Sequence, residues 1–149
     1  MTFNWVNEIE KFFIDQNVAV IEGTPAERDL ILQNINSYDV LIVNYEKVKT
    51  CLPYFDRHKF FYLVLDEAHK IKNPKSAIAI NVKQLQTHRK LILSGTPLQN
   101  RVSELWSLFD FLMPNFLEEE SVFSKLYNKY LTGNIKRMQE KLEDTESFI

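Results

Sequence analysis

Four short, largely apolar runs recur along this chain of 149 residues, each closed by a polar turn and each followed by helical spacing. They occupy residues 18–21, 40–43, 60–65 and 90–93. Runs this short do not make buried helices, and their near-continuous apolar character predicts strands covered on both faces, as in parallel sheets. Parallel neighbours need a crossover of roughly a dozen or more residues, and the stretches between the runs supply it. The alternation predicts an α/β fold: a parallel sheet of about four strands flanked by helices, with a helical C-terminal segment.

The crossovers carry their own signals. Residues 3–16 set Trp5, Ile9, Phe12 and Phe13 against Asn4, Asn7, Glu8 and Lys11, an amphipathic helix. Thr24, Pro25 and Glu27 stand at N-cap, N1 and N3 of a capping box that opens a helix running to about Asn36. A helix is predicted over 45–54, limited by Pro53, and another from Pro74 to about Gln86. Residues 102–112 present Leu105, Leu108, Phe109 and Leu112 on one face and stop before Pro114. From residue 118 the chain reads as helical, with a break at Thr132-Gly133.

Composition narrows the function classes. Eighteen basic against twenty acidic residues exclude a globally basic nucleic-acid binder but leave room for a local basic strip. The one cysteine, Cys51, makes no intrachain disulfide, and with His58, His69 and His88 it gives no metal-finger or i,i+4 spacing. No apolar run approaches the length of a membrane span, so a soluble, intracellular protein is expected. Only three glycines occur, Gly23, Gly95 and Gly133, and no pair has the spacing of a G-x-x-x-x-G-K-[ST] phosphate loop.

In open α/β sheets ligands bind just beyond the carboxyl ends of the strands. Two polar clusters are predicted there: Asp66-Glu67-Ala68-His69 after the third run, and Ser94-Gly95-Thr96 after the fourth. An acidic pair directly after an apolar strand suits nucleotide hydrolysis, with one carboxylate for Mg²⁺ and the other to orient or deprotonate water. The neighbouring hydroxyl-rich turn would sense a γ-phosphate. A metal-dependent hydrolase or nuclease built on Asp66, Glu67 and His69 needs a further convergent ligand, which no spacing supplies. Lys70, Lys72 and Lys75 read as a solvated loop, and Trp106, Phe109 and Phe111 as core packing rather than base stacking.

The runs 65–73 (LDEAHKIKN), 93–100 (LSGTPLQN) and 104–114 (ELWSLFDFLMP) together resemble the first RecA-type lobe of the Swi/Snf-type ATPases, superfamily 2 helicase-related DNA translocases. The resemblance covers about the first 130 residues, in order. Asn4-Trp5 with Glu8 and Lys11-Phe12 resembles the end of that family's motif Ia, and residues 39–46 resemble motif Ib. Trp5-Val6, residues 23–28 and residues 111–117 are most similar to the subgroup that removes TATA-binding protein from DNA.

The resemblance implies roles. Asp66 would be the Mg²⁺ carboxylate (through water) and Glu67 the catalytic one, with His69 coupling the nucleotide site to DNA. Ser94, Gly95 and Thr96 would form the motif III relay; Asn4, Trp5, Asn44, Tyr45, Gln99 and Asn100 would lie toward DNA. It implies ATP and Mg²⁺ as cofactors, double-stranded DNA as track, TATA-binding protein or a nucleosome as partner, and a nuclear location. On this reading residues 1–117 are a partial lobe with motifs Ia, Ib, II and III, and 118–149 a helical connector toward a second lobe. A phosphate loop would precede the segment, so the 149 residues alone are expected to be inactive and to expose a sheet edge beside the motif III strand. A non-catalytic interaction or scaffold domain that keeps a motor-like half-lobe is the alternative.

Overall fold

The computed structural model describes residues 2–13, 15–95 and 102–128. Helix and strand alternate: α1 (Thr2–Phe12), β1 (Val18–Val20), α2 (Pro25–Gln33), β2 (Val40–Ile42), α3 (Val48–Phe55), β3 (Phe60–Leu65), α4 (Ala77–Lys83), β4 (Thr87–Ile92), α5 (Val102–Leu112) and α6 (Glu120–Asn128). The fold is α/β, and among the described residues its strands pair two by two, β1 with β2 and β3 with β4. Two compact units emerge, one drawn from Met1–Leu63 and Ser76–Lys90, the other from Val64–Lys75 and Leu91–Ile149.

In the first unit β1 and β2 run parallel, with Val18 opposite Val40, Ala19 opposite Leu41 and Val20 opposite Ile42. The bond from Ile21 N–H to the Ile42 carbonyl, 2.8 Å, extends the ladder by one step before the chain turns. Gly23 makes that turn at φ +88, and a Cβ there would run into the Glu27 carboxylate. The predicted capping box is present: Thr24 N–H donates to Glu27 Oε2 at 2.7 Å and Glu27 N–H to Thr24 Oγ1 at 3.4 Å. Helix α2 stops at Gln33, short of Asn36, because the next residues tighten into a 3₁₀ turn, Ile35–Ser37.

Pro53 does not end α3, which continues to Phe55. The helix begins at Val48, so the ring forfeits only the bond that would reach Lys49, and Asp56 N–H still reaches the Leu52 carbonyl at 2.9 Å. Helix α4 opens at Ala77 on a Ser76 cap rather than at Pro74. It packs on α3 across a core that includes Val48, Cys51, Phe55, Ala79 and Val82. Burial pushes the Cys51 thiol above its ordinary pKa, against the smaller pull of Thr50, Arg28 and Lys47.

Strand β3 has the predicted bounds, but not the predicted burial. Phe61 and Tyr62 are 61% and 62% exposed, Val64 is exposed as well, and only Leu65 is buried. A two-stranded ribbon covers little of its own surface, so Phe61 packs edge-on against Tyr62 (ring centroids 5.0 Å apart) and beside His88 of β4 (5.8 Å). Strand β4 starts at Thr87 rather than Lys90, and it pairs with β3 although its first residues are polar.

Helices α5 and α6 pack together in the second unit around Val102, Phe123 and Tyr127, with Trp106 and Leu117 against them. The connection between them passes through Asn115 at φ 66, a conformation asparagine tolerates, and is pinned by a 2.8 Å bond from Trp106 Nε1–H to the Glu118 carbonyl. The buried face of α5 is rotated from the predicted one: Leu105, Ser107, Leu108 and Phe111 are buried, whereas Phe109 and Leu112 are half-buried.

Candidate active site

The acidic box begins where β3 ends. Leu93 N–H donates to the Leu65 carbonyl at 2.7 Å, and Ala68 N–H donates back to the Leu93 carbonyl at 3.0 Å. These bonds stitch the exit of β4 to both sides of Asp66-Glu67, so the acidic pair and the start of the second predicted cluster, Ser94-Gly95, are brought together. Asp66 Oδ1 accepts from Glu67 N–H at 2.8 Å, turning the chain sharply.

Glu67 then sits at φ 52, ψ 49, in the left-handed region. For a non-glycine residue this costs about 1–2 kcal/mol, which the surrounding bonds must sustain. The twist sends the backbone into a 3₁₀ turn, Ala68–Ile71, whose Ala68 and Ile71 are buried while His69 stays exposed. His69 Nδ1 lies 3.0 Å from Glu67 Oε2. A carboxylate offers only acceptors, so the contact requires the proton on Nδ1. The two side chains remain 44% and 37% exposed, open to a substrate.

From β4 the site receives Ser94 and Gly95. The Ser94 hydroxyl is buried without a hydrogen-bond partner among the described residues. Beyond its chain neighbours, no atom of the described residues lies within 4 Å of a Cβ placed on Gly95. Thr96, Gln99 and Asn100 lie outside the described residues.

Of the residues expected toward DNA, Asn4, Trp5, Asn44 and Tyr45 belong to the first unit. Asn4 and Trp5 stand on α1, both solvent-exposed. Asn44 follows β2 and its amide donates to Glu22 Oε1 at 3.3 Å, joining the exits of the two strands; Tyr45 begins the 3₁₀ turn Tyr45–Lys47.

One sequence expectation fails within the acidic segment. Lys72 is not part of a solvated strip: it is 8% exposed, with Nζ 3.6 Å from Glu104 Oε2 of α5. One turn along α5, the fully buried Ser107 hydroxyl donates to the Ile71 carbonyl at 2.6 Å. Lys70 and Lys75 are exposed as expected. The signal missed in the sequence is that Glu104 and Ser107 stand three apart on the core side of α5, where polar residues need a buried partner.

As for a metal, two adjacent carboxylates at a strand end fit a hard cation that keeps most of its water and takes one or two protein oxygens. Among the described residues no set of three or more His, Cys, Asp or Glu converges to cage an ion.

Known proteins resemble this chain. The SNF2-related domain matches residues 1–148. The TATA-binding protein-associated factor BTAF1 of Arabidopsis thaliana is 43% identical over 130 residues, 86% of this chain and 6% of that protein. TATA-binding protein-associated factor 172 of Homo sapiens is 42% identical over 131 residues, 87% of this chain and 7% of that protein. The Sulfolobus solfataricus SWI2/SNF2 ATPase core in complex with dsDNA superposes with a TM-score of 0.80 at 30% identity, over 95% of this chain and 29% of that one. The chain thus spans under a tenth of the length of these curated relatives. It belongs to the SNF2-related domain family.

Proposed function

We propose that this chain supplies the carboxylate side of a Mg²⁺-dependent ATPase that moves along double-stranded DNA. The observation that carries the reading is the acidic turn: Asp66 and Glu67 presented at a strand end, Glu67 in a left-handed conformation and bonded to His69, with the β4 exit stitched beside them. Asp66 would hold Mg²⁺ through water, and magnesium supplies neutralisation of charge on phosphate oxygens. Glu67 orients the attacking water and accepts its proton, the role a positioned carboxylate fills in phosphoryl transfer. His69, tied to Glu67, passes the state of the nucleotide site on, and Ser94, Gly95 and Thr96 act as the relay beside it.

Contacts with DNA fall to Asn4, Trp5, Asn44, Tyr45, Gln99 and Asn100. Similarity to TATA-binding protein-associated factors supports TATA-binding protein as the remodelled partner, with a nucleosome as the other candidate, and a nuclear location. Residues 1–117 act as part of a motor lobe and 118–149 as the connector to a second. Positioning from several sides is required for phosphoryl transfer, so the 149 residues alone turn over no ATP.

The test compares ATP turnover by the 149-residue chain with turnover by a protein that joins it to a phosphate loop and a second lobe. Turnover confined to the joined protein, stimulated by DNA and lost in Glu67→Gln, supports the proposal. Mg²⁺-dependent turnover by the chain alone that disappears in Glu67→Gln overturns the predicted inactivity. A joined protein that binds partners yet never hydrolyses ATP favours the scaffold alternative.

A further inference from the structure

We propose that Lys72, Glu104 and Ser107 form a polar clasp that fixes the acidic turn to α5, making Lys72 a positioning residue for Glu67 and His69. The inference rests on reading Glu67 as the hydrolytic carboxylate, and goes beyond it by naming what holds that carboxylate in place. Two independent contacts meet the same short stretch of backbone. Ser107 holds the Ile71 carbonyl at 2.6 Å, and Lys72, the next residue, reaches Glu104 at 3.6 Å. Both α5 residues project from one side of the helix, three positions apart, beside the fully buried Leu108 and Phe111.

Stability alone is a poor reason for this arrangement. A buried ion pair gives up the hydration of two charges, and an apolar pair of similar volume is often as stable or more so. Here the loss is incompletely offset, since Lys72 Nζ and Glu104 Oε2 are buried with no hydrogen-bond partner among the described residues. What the polar contacts add is register. An apolar face tolerates sliding, whereas the Ser107 hydroxyl bonds to one carbonyl, and the charge attraction of Lys72 and Glu104 favours the same placement of the 3₁₀ turn. That turn begins directly after Glu67, whose left-handed conformation must be held from its far side. Helix α5 is also the element that follows the segment leaving β4. The clasp therefore ties the stretch that leaves β3 to α5, and the acidic turn moves with α5 as one body.

The test uses the 149-residue chain without nucleotide, so its outcome does not depend on whether ATP is hydrolysed; Glu67→Gln turnover in a joined motor decides that separately. Backbone amide exchange and the ¹⁵N signal of His69 Nδ1 are followed in Lys72→Met, in the double variant Lys72→Met/Glu104→Met, and in the charge-reversed pair Lys72→Glu/Glu104→Lys. The clasp predicts that exchange at Ala68 and Lys70 rises about tenfold or more in Lys72→Met while Val20 and Ile42 are unchanged. The His69 signal is expected to move to its position in Glu67→Gln, where the carboxylate is absent. Reversing the pair restores both readouts; the apolar pair restores stability but not the His69 signal. An equal rise at all amides, or full recovery of the His69 signal in the apolar pair, overturns the proposal. Should Lys72→Met not fold, Ser107→Ala removes one hydroxyl only: about a threefold local rise at Ala68 and Lys70 supports the clasp, and no local change overturns it.

Discussion

The chain has two pairs of strand exits, and they are built differently. Where β1 and β2 end, every device is conventional: a glycine takes the left-handed turn, a capping box opens α2, and Asn44 bonds to Glu22 across the two exits. Where β3 and β4 end, a glutamate takes the left-handed position, a serine hydroxyl is buried with no hydrogen-bond partner among the described residues, and an ion pair is buried behind them. The first exit obeys the rules that make a turn stable. The second breaks several within a few residues, which is the pattern expected of the hydrolytic site proposed above.

That contrast can be broken by substitution, beginning with the support beneath the second exit. Phe111 is fully buried on α5, and Phe111→Ala is expected to cost about 3–5 kcal/mol in urea denaturation. A loss below about 1 kcal/mol would show that the second unit is not packed around α5. The two left-handed residues should then respond in opposite senses. Gly23→Ala places a Cβ against the Glu27 carboxylate at positive φ and should destabilise by about 1–2 kcal/mol. Glu67→Gly relieves the same strain and should stabilise by up to about 1 kcal/mol while removing the carboxylate. If both variants destabilise alike, the second exit carries no relievable strain and the contrast is lost.

The smallest effect is one of pH, at the first exit. Hydrogen bonds from the Thr24 backbone and then from its hydroxyl hold the Glu27 carboxyl below its ordinary pKa, against a small opposing effect of burial. A depressed folded-state value means that the contribution is complete above the unfolded pKa and is lost as pH falls through the folded one. Amide exchange at Glu27 and Arg28 should therefore gain an extra acceleration at acid pH that is smaller in Thr24→Ala, which loses the hydroxyl bond but keeps the backbone one. An identical acid response in the two proteins would show that the capping box does not titrate with Glu27.

Much of this was legible in the sequence, for reasons that separate the two exits again. Thr24, Pro25 and Glu27 announce their helix because capping is local chemistry, and residues 60–65 and 102–112 have the predicted bounds because their periods are unambiguous. Asp66, Glu67, Ser94 and Gly95 could be placed together because strand exits gather ligand-binding groups. The exposure of Phe61 and Tyr62 was not legible: an apolar run states what a strand can bury, and tertiary neighbours decide what it does bury. Lys72 was misread for the converse reason. Its charge predicts solvent, and only the fold reveals a carboxylate thirty-two positions away in sequence and 3.6 Å away in space.

The claim that the second exit is the hydrolytic one is tested most directly by DNA-stimulated ATP turnover in a protein that joins this chain to a phosphate loop and a second lobe, with Glu67 and with Gln at that position. The account predicts that Glu67→Gln lowers kcat by about a hundredfold or more while ATP is still bound, since a catalytic base typically contributes that much. Turnover that survives the substitution at an undiminished rate would contradict it.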